Sequence, residues 1–121
     1  MNYKVLLVED NHECRDLLAL TLGHLGYQVL QADDGDTAVK KALSEKPDLI
    51  LMDIQLPIMD GYEATRRIKA NPELRHIPII VVTSYALSGD EEKARASGCD
   101  AYFTKPYSPR QLLAKIKELL P

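Results

Sequence analysis

The sequence predicts an α/β fold: a doubly wound, five-stranded parallel sheet flanked by five helices. Three observations predict it. Short apolar runs recur five times and alternate with stretches of helical periodicity. The third run, Asp48-Leu49-Ile50-Leu51-Met52-Asp53, carries four consecutive apolar residues between Pro47 and Pro57, the pattern of a strand covered on both faces. The connections are short, so the strands must pair in parallel through right-handed crossovers, with helices on both sides.

In chain order, Tyr3 to Val8 reads as the first strand and Asn11 to Leu25 as an amphipathic helix, with Cys14, Leu17, Leu18, Thr21 and Leu25 in register on one face. Gln28 to Ala32 is a second, shorter strand, followed by a helix with Ala38, Val39, Ala42 and Leu43 on one face. After the third strand, Asp48 to Met52, Asp60 caps a helix from about Gly61 to Ala70; Glu63 lies in its first turn and Asn71-Pro72 stops it. Ile77 to Thr83 is the fourth strand. Ser88-Gly89-Asp90-Glu91 has the form of a capping box for a helix ending near Gly98, and Ala101 to Thr104 is the fifth strand. Ser108 caps the last helix, with Pro109 at its first position, Tyr107 able to staple onto Leu112, and a stripe of Leu112, Leu113, Ile116, Leu119 and Leu120.

The chain has 121 residues and reads as a single domain over 1–121. A domain of that size buries roughly two-thirds of its unfolded surface, so no disulfide or metal is needed to hold its core. The net charge is -3 and the Lys and Arg residues are dispersed, which leaves no basic stripe for nucleic acid and no polybasic patch for a membrane. No leader or long apolar span is visible, so the expected location is cytoplasmic. Cys14 and Cys99 belong to no metal-spaced pair and read as small buried hydrophobes. His12, His24 and His76 lack helical pairing and read as surface residues.

An open doubly wound sheet binds ligands at the carboxyl ends of its strands. The residues found there are Glu9-Asp10, Asp53, Thr83-Ser84 and Lys105-Pro106. Each has an ordinary explanation: Asp10 with Glu13 as a capping-box pair, Asp53 as a turn residue, Thr83 as a β-branched strand residue, Lys105 as a solvated turn residue. Together they resist those explanations, because carboxylates about 4 Å apart repel by about 4 kcal/mol per pair at an effective dielectric near 20. Clustered acids require a cation or the protonation of one member. Lys105 offsets one charge, and a hard divalent ion with oxygen ligands offsets the rest; Mg²⁺ is the usual choice where phosphate also binds.

Glu9-Asp10, Asp53, Pro57-Ile58-Met59-Asp60-Gly61, Thr83 and Lys105-Pro106 closely resemble the receiver domains of two-component response regulators across essentially the whole chain. The runs Pro47 to Pro57 and Gly89-Asp90-Glu91-Glu92, with Gly98-Cys99 and Ala101-Tyr102, look most like DivK-type single-domain receivers. The resemblance implies the strand order 2-1-3-4-5 and a phosphorelay role. Asp53 would accept a phosphoryl group from a histidine kinase or histidine phosphotransfer protein, and the chain would not be a turnover enzyme. Glu9, Asp10, Asp53 and the main-chain carbonyl of Gln55 would hold Mg²⁺. Lys105 would stabilise the transferring oxygens, Thr83 would bond the phosphate, and Tyr102 would change rotamer in response. Gln55 and Tyr85 would flank the path of hydrolytic water and slow the loss of phosphate. The Lys105-Pro106 bond would be cis. A downstream protein would bind the face made by the fourth helix, fifth strand and fifth helix, with no direct contact to nucleic acid.

Nothing after the last helix suggests an output domain, so the chain is expected to be a free-standing receiver or a fragment of a larger regulator or hybrid kinase. Two other classes compete. A haloacid-dehalogenase-type phosphatase needs a second Asp two residues after its nucleophile, where Gln55 stands. A flavodoxin-like nucleotide binder needs a Gly-rich phosphate cradle, and the first loop here is acidic.

Overall fold

The computed structural model describes residues 3–83 and 90–120. The elements are β1 (Lys4–Val8), α1 (His12–His24), β2 (Gln28–Ala32), α2 (Gly35–Glu45), β3 (Leu49–Asp53), α3 (Gly61–Ala70), β4 (Ile79–Thr83), α4 (Asp90–Ala96), β5 (Ala101–Thr104) and α5 (Pro109–Leu119). The strands form one sheet in the order β2-β1-β3-β4-β5, and every neighbouring pair is parallel.

Alternation along each strand divides the core in two. Leu6, Val8, Ile50, Met52, Ile79 and Val81 point to one side, where they meet Ala38 and Ala42 of α2, Ala64 and Ile68 of α3, and Ala94 of α4. Val5, Leu7, Leu49, Leu51, Ile80 and Val82 point to the other, against Leu22 of α1 and Leu112 and Ile116 of α5. Two-sided burial explains why β3 and β4 are apolar without interruption. At the amino end of the sheet the Lys69 ammonium donates to the carbonyls of Arg75 at 3.1 Å and Ile77 at 2.7 Å and pairs with Asp100 at 2.9 Å. Asp100 also accepts the Ile79 N–H at 2.8 Å, so one cation ties α3 to the start of β4 and the turn before β5.

Several expectations need correction. The inward face of α1 is Arg15, Leu18, Ala19 and Leu22; Cys14, Thr21 and Leu25 are exposed, and Leu17 is 67% exposed. This helix has apolar residues on all sides, so periodicity alone chose the wrong face. Cys99 is half-buried and the three histidines are exposed, as read. On α2, Leu43 points outward at 46% exposure, because small residues at Gly35, Ala38 and Ala42 let the helix lie close to the sheet and α3. The cap of α1 is Asn11, whose side chain accepts the Cys14 N–H at 3.0 Å; Asp10 does not have that task. Asp60 caps α3 through the Glu63 N–H, and Ser108 caps α5 through the Gln111 N–H with Pro109 in the first turn. Ser88-Gly89, Ser84 and Tyr85 lie outside the described residues.

Candidate functional site

Strand register brings the chemistry together. Val8 lies opposite Met52, so Glu9 and Asp53, one residue further along β1 and β3, emerge side by side. Thr83 lies opposite Thr104, and the Lys105 N–H donates to the Thr83 carbonyl at 2.7 Å, which continues the β4–β5 ladder and brings Lys105 to the same end of the sheet. The Lys105-Pro106 bond is cis, as the resemblance implies.

Asp53 and Glu9 are buried at 5% and 6% exposure, Thr83 is fully buried, and Asp10 is exposed. The Lys105 ammonium lies 3.2 and 3.4 Å from the two Glu9 oxygens and 3.3 Å from Asp53 Oδ2. The other Asp53 oxygen accepts the Gln55 N–H at 3.3 Å. Burial, reinforced by the hydrogen bond and charge of Asp53, pushes the Glu9 carboxyl up to about 8 against the opposing pull of Lys105. Burial alone would lower the Lys105 ammonium, but the charges of Asp53 and Glu9 outweigh it and hold its value above the ordinary lysine range. A proton on Glu9 is thus one way the protein relieves the clustered charge.

A metal is the other way. Glu9, Asp10 and Asp53 each offer a carboxylate oxygen, and these lie within 4.8 Å of one another. The donors are oxygens only, two buried and one exposed, and among the described residues the ammonium paired with this cluster is that of Lys105, which reaches Glu9 and Asp53. That donor set fits a hard divalent ion that keeps some of its own water. Lys105, Asp53 and Glu9 also border a cavity of about 330 Å³ that runs between α1 and α5, walled by Cys14, Leu18 and Tyr107.

The structure therefore brings together Glu9, Asp10, Asp53, the main chain of Gln55 and Lys105, while Thr83 ends the neighbouring strand one residue past Val82, which lies opposite Asp53. Tyr102 stands further out, half-buried on β5 and packed on the core beneath α2, α3 and α4. It lies opposite Val81, and strand alternation puts it on the same face of the sheet as Thr83. Two glycines allow the close approach that holds the site in place. A Cβ on Gly61 would stand 2.1 Å from the Asp53 carbonyl oxygen, and one on Gly35 would stand 2.0 Å from that of Met59. The loop after β3 is thus pressed against the starts of α3 and α2. Ile58 in that loop is 83% exposed and has φ 71, an unusual backbone for a β-branched residue. Sequence reasoning also missed Arg15, which donates to the Glu9 carbonyl at 3.0 Å. Its spacing with Leu18, Ala19 and Leu22 is a helical face, but a charged residue does not read as part of one.

Comparison with known proteins agrees with this geometry. Residues 5–117 match the response regulator receiver domain family. The chain is 43% identical over 120 residues to the polar-differentiation response regulator DivK of Brucella anthropi, covering 99% of this chain and 98% of that one. Its structure resembles the receiver domain of a sensor histidine kinase from Pseudomonas aeruginosa, crystallised with magnesium in its active-site cleft, with a TM-score of 0.91, 38% identity and coverage of 99% and 98%. It also resembles the BeF₃-activated receiver domain of RstA from Klebsiella pneumoniae, with a TM-score of 0.87, 32% identity and coverage of 97% of both chains. With the strand order, the strand-end carboxylates and the whole-chain similarity in agreement, the chain belongs to the response regulator receiver domain family.

Proposed function

We propose that Asp53 is the phosphoacceptor of a two-component phosphorelay. The observation that carries this reading is a buried carboxylate at the end of β3, 3.3 Å from the Lys105 ammonium and clustered with Glu9 and Asp10. An oxygen of Asp53 attacks phosphorus, the bond from phosphorus to the donor histidine breaks, and an aspartyl phosphate remains. Lys105 stabilises charge on the transferring oxygens, and Thr83 donates its hydroxyl to one of them afterwards. Glu9, Asp10 and Asp53, with the main-chain carbonyl of Gln55, would hold Mg²⁺, which neutralises phosphoryl charge when bound.

The donor is a histidine kinase or histidine phosphotransfer protein, and the receiver catalyses only its own phosphorylation and slow dephosphorylation. Gln55 is exposed and neutral, so it can hold a water but cannot take its proton. Phosphorylation is read by a protein target at the face of α4, β5 and α5. No helix among the described residues is long and apolar enough to cross a membrane, and we place the protein in the cytoplasm.

The test is incubation with acetyl phosphate or beryllofluoride with and without Mg²⁺. Modification should require Mg²⁺ and disappear in Asp53→Asn. Full labelling of that variant would sink the proposal.

A further inference from the structure

The guanidinium of Arg15 sits half-buried on the inward face of α1, yet among the described residues no carboxylate lies within ion-pair distance of it. Its nitrogens meet an amide oxygen, a main-chain carbonyl and an imidazole nitrogen instead. Nε donates to Gln31 Oε1 at 2.9 Å, Nη1 to the Glu9 carbonyl at 3.0 Å, and Nη2 to His12 Nδ1 at 3.0 Å. Gln31 is itself anchored, because its main-chain carbonyl accepts from the Lys41 ammonium of α2. The fork therefore spans β2, the end of β1 and the first turn of α1, against a support that reaches α2.

The Glu9 carbonyl belongs to the peptide that joins Glu9 to Asp10. That peptide is planar, so fixing its oxygen fixes where the Asp10 N and Cα lie. The preceding peptide is fixed as well, by the Glu9 N–H donating to the Ala32 carbonyl at 3.0 Å. Both main-chain polar groups of Glu9 are thus held, one by β2 and the other by Arg15. Asp10, the exposed member of the carboxylate cluster, has no comparable burial to hold it in place. We propose that Arg15 is a positioning residue for the divalent cation, presenting the Asp10 carboxylate by clamping the Glu9–Asp10 peptide. This inference rests on the phosphoacceptor reading.

Electrostatics alone makes the opposite prediction. A guanidinium near a divalent cation repels it, so removing Arg15 would tighten binding if charge were its only contribution. The sign of the change separates the two roles.

The experiment is calorimetric titration of Mg²⁺ into the wild-type protein, Arg15→Met and Arg15→Lys, with thermal melting of each metal-free protein. Arg66→Gln, an exposed site on α3, controls for net charge. Arg15→Met should weaken Mg²⁺ binding about tenfold, the scale on which losing a partner behind a metal ligand is felt. Its metal-free melting temperature should change little. An affinity equal to or tighter than wild type overturns the proposal, as does a lowered melting temperature with unchanged affinity, which would mark a brace of the fold only. If Arg15→Met does not fold, Arg15→Lys replaces it under the same criterion, because an amine keeps the charge but loses the fork. A wild-type protein that binds no Mg²⁺ overturns the phosphoacceptor reading and this role with it; binding that the Arg15 variant leaves intact overturns this role alone.

Discussion

Asp10 and Asn11 are neighbours of similar shape with different tasks. Asn11 caps α1 through the Cys14 N–H, while the Asp10 carboxylate joins Glu9 and Asp53. Exchanging their functions by mutation should separate stability from metal binding. Asn11→Ala should cost about 1 kcal/mol in denaturant unfolding, the usual loss of a cap. Asp10→Asn should lower the unfolding free energy by no more than about 0.5 kcal/mol, as for an exposed substitution, and weaken Mg²⁺ binding in calorimetry. A loss of about 1 kcal/mol in Asp10→Ala, which unlike Asp10→Asn leaves no side-chain oxygen to cap with, would return the capping task to Asp10. The sequence left this open because Asp and Asn cap equally well, and only the backbone register of the first turn decides between them. Asp53, Glu9 and Lys105 were legible for a different reason: strand ends in a parallel sheet converge whatever the details of packing. Arg15 was not, since its inward direction depends on which face α1 buries.

At the scale of elements, α3 is placed by what it lacks. Gly61 opens the helix, its N–H donates to the Ile54 carbonyl at 3.0 Å, and a Cβ there would stand 2.1 Å from the Asp53 carbonyl oxygen. That obstacle is backbone and cannot swing away as a flexible side chain can. Gly61→Ala must therefore push α3 outward or displace the Asp53 peptide itself. We expect a loss of about 1–3 kcal/mol, the range for overpacking, together with slower labelling by acetyl phosphate. Unchanged stability and labelling would show that the helix start yields freely. The sequence identified Gly61 as the beginning of a helix but not as a point of close approach, because that contact is between segments and leaves no periodic trace. The misread face of α1 has a related origin. Leu17, Leu18, Leu20, Leu22 and Leu25 surround the helix, so packing partners decide which of them are buried, and Leu18 and Leu22 are the ones turned inward.

For the molecule as a whole, the layer architecture followed from the alternation of apolar runs and helical patterns, whereas the order 2-1-3-4-5 came through family resemblance. Strand pairing joins residues far apart in sequence, and no local pattern encodes it. The assembled sheet then governs how a signal can leave the site. Thr83 is buried at the end of β4, Tyr102 lies on the same face of the sheet on β5, and α4 contributes Ala94 as its fully buried apolar side chain among the described residues. A helix whose described side chains bury so little should be easy to reposition. The driving force is limited, however. In the proposed reading, a hydrogen bond from Thr83 to a charged phosphoryl oxygen would supply about 1.5–3 kcal/mol, while taking a two-state equilibrium from about 1:99 to 99:1 requires about 5.5. Phosphorylation should therefore shift a population in part, leaving both conformations present. The measurement is amide chemical shifts with and without beryllofluoride and Mg²⁺, in the wild type, Thr83→Ala and Tyr102→Ala. Residues of α4, β5 and α5 should move along common straight lines, with the wild-type activated protein furthest along and Thr83→Ala set back toward the unmodified end. Changes that avoid residues 83–112, or a wild-type endpoint that Thr83→Ala reaches equally, would show that the signal does not pass through this hydroxyl.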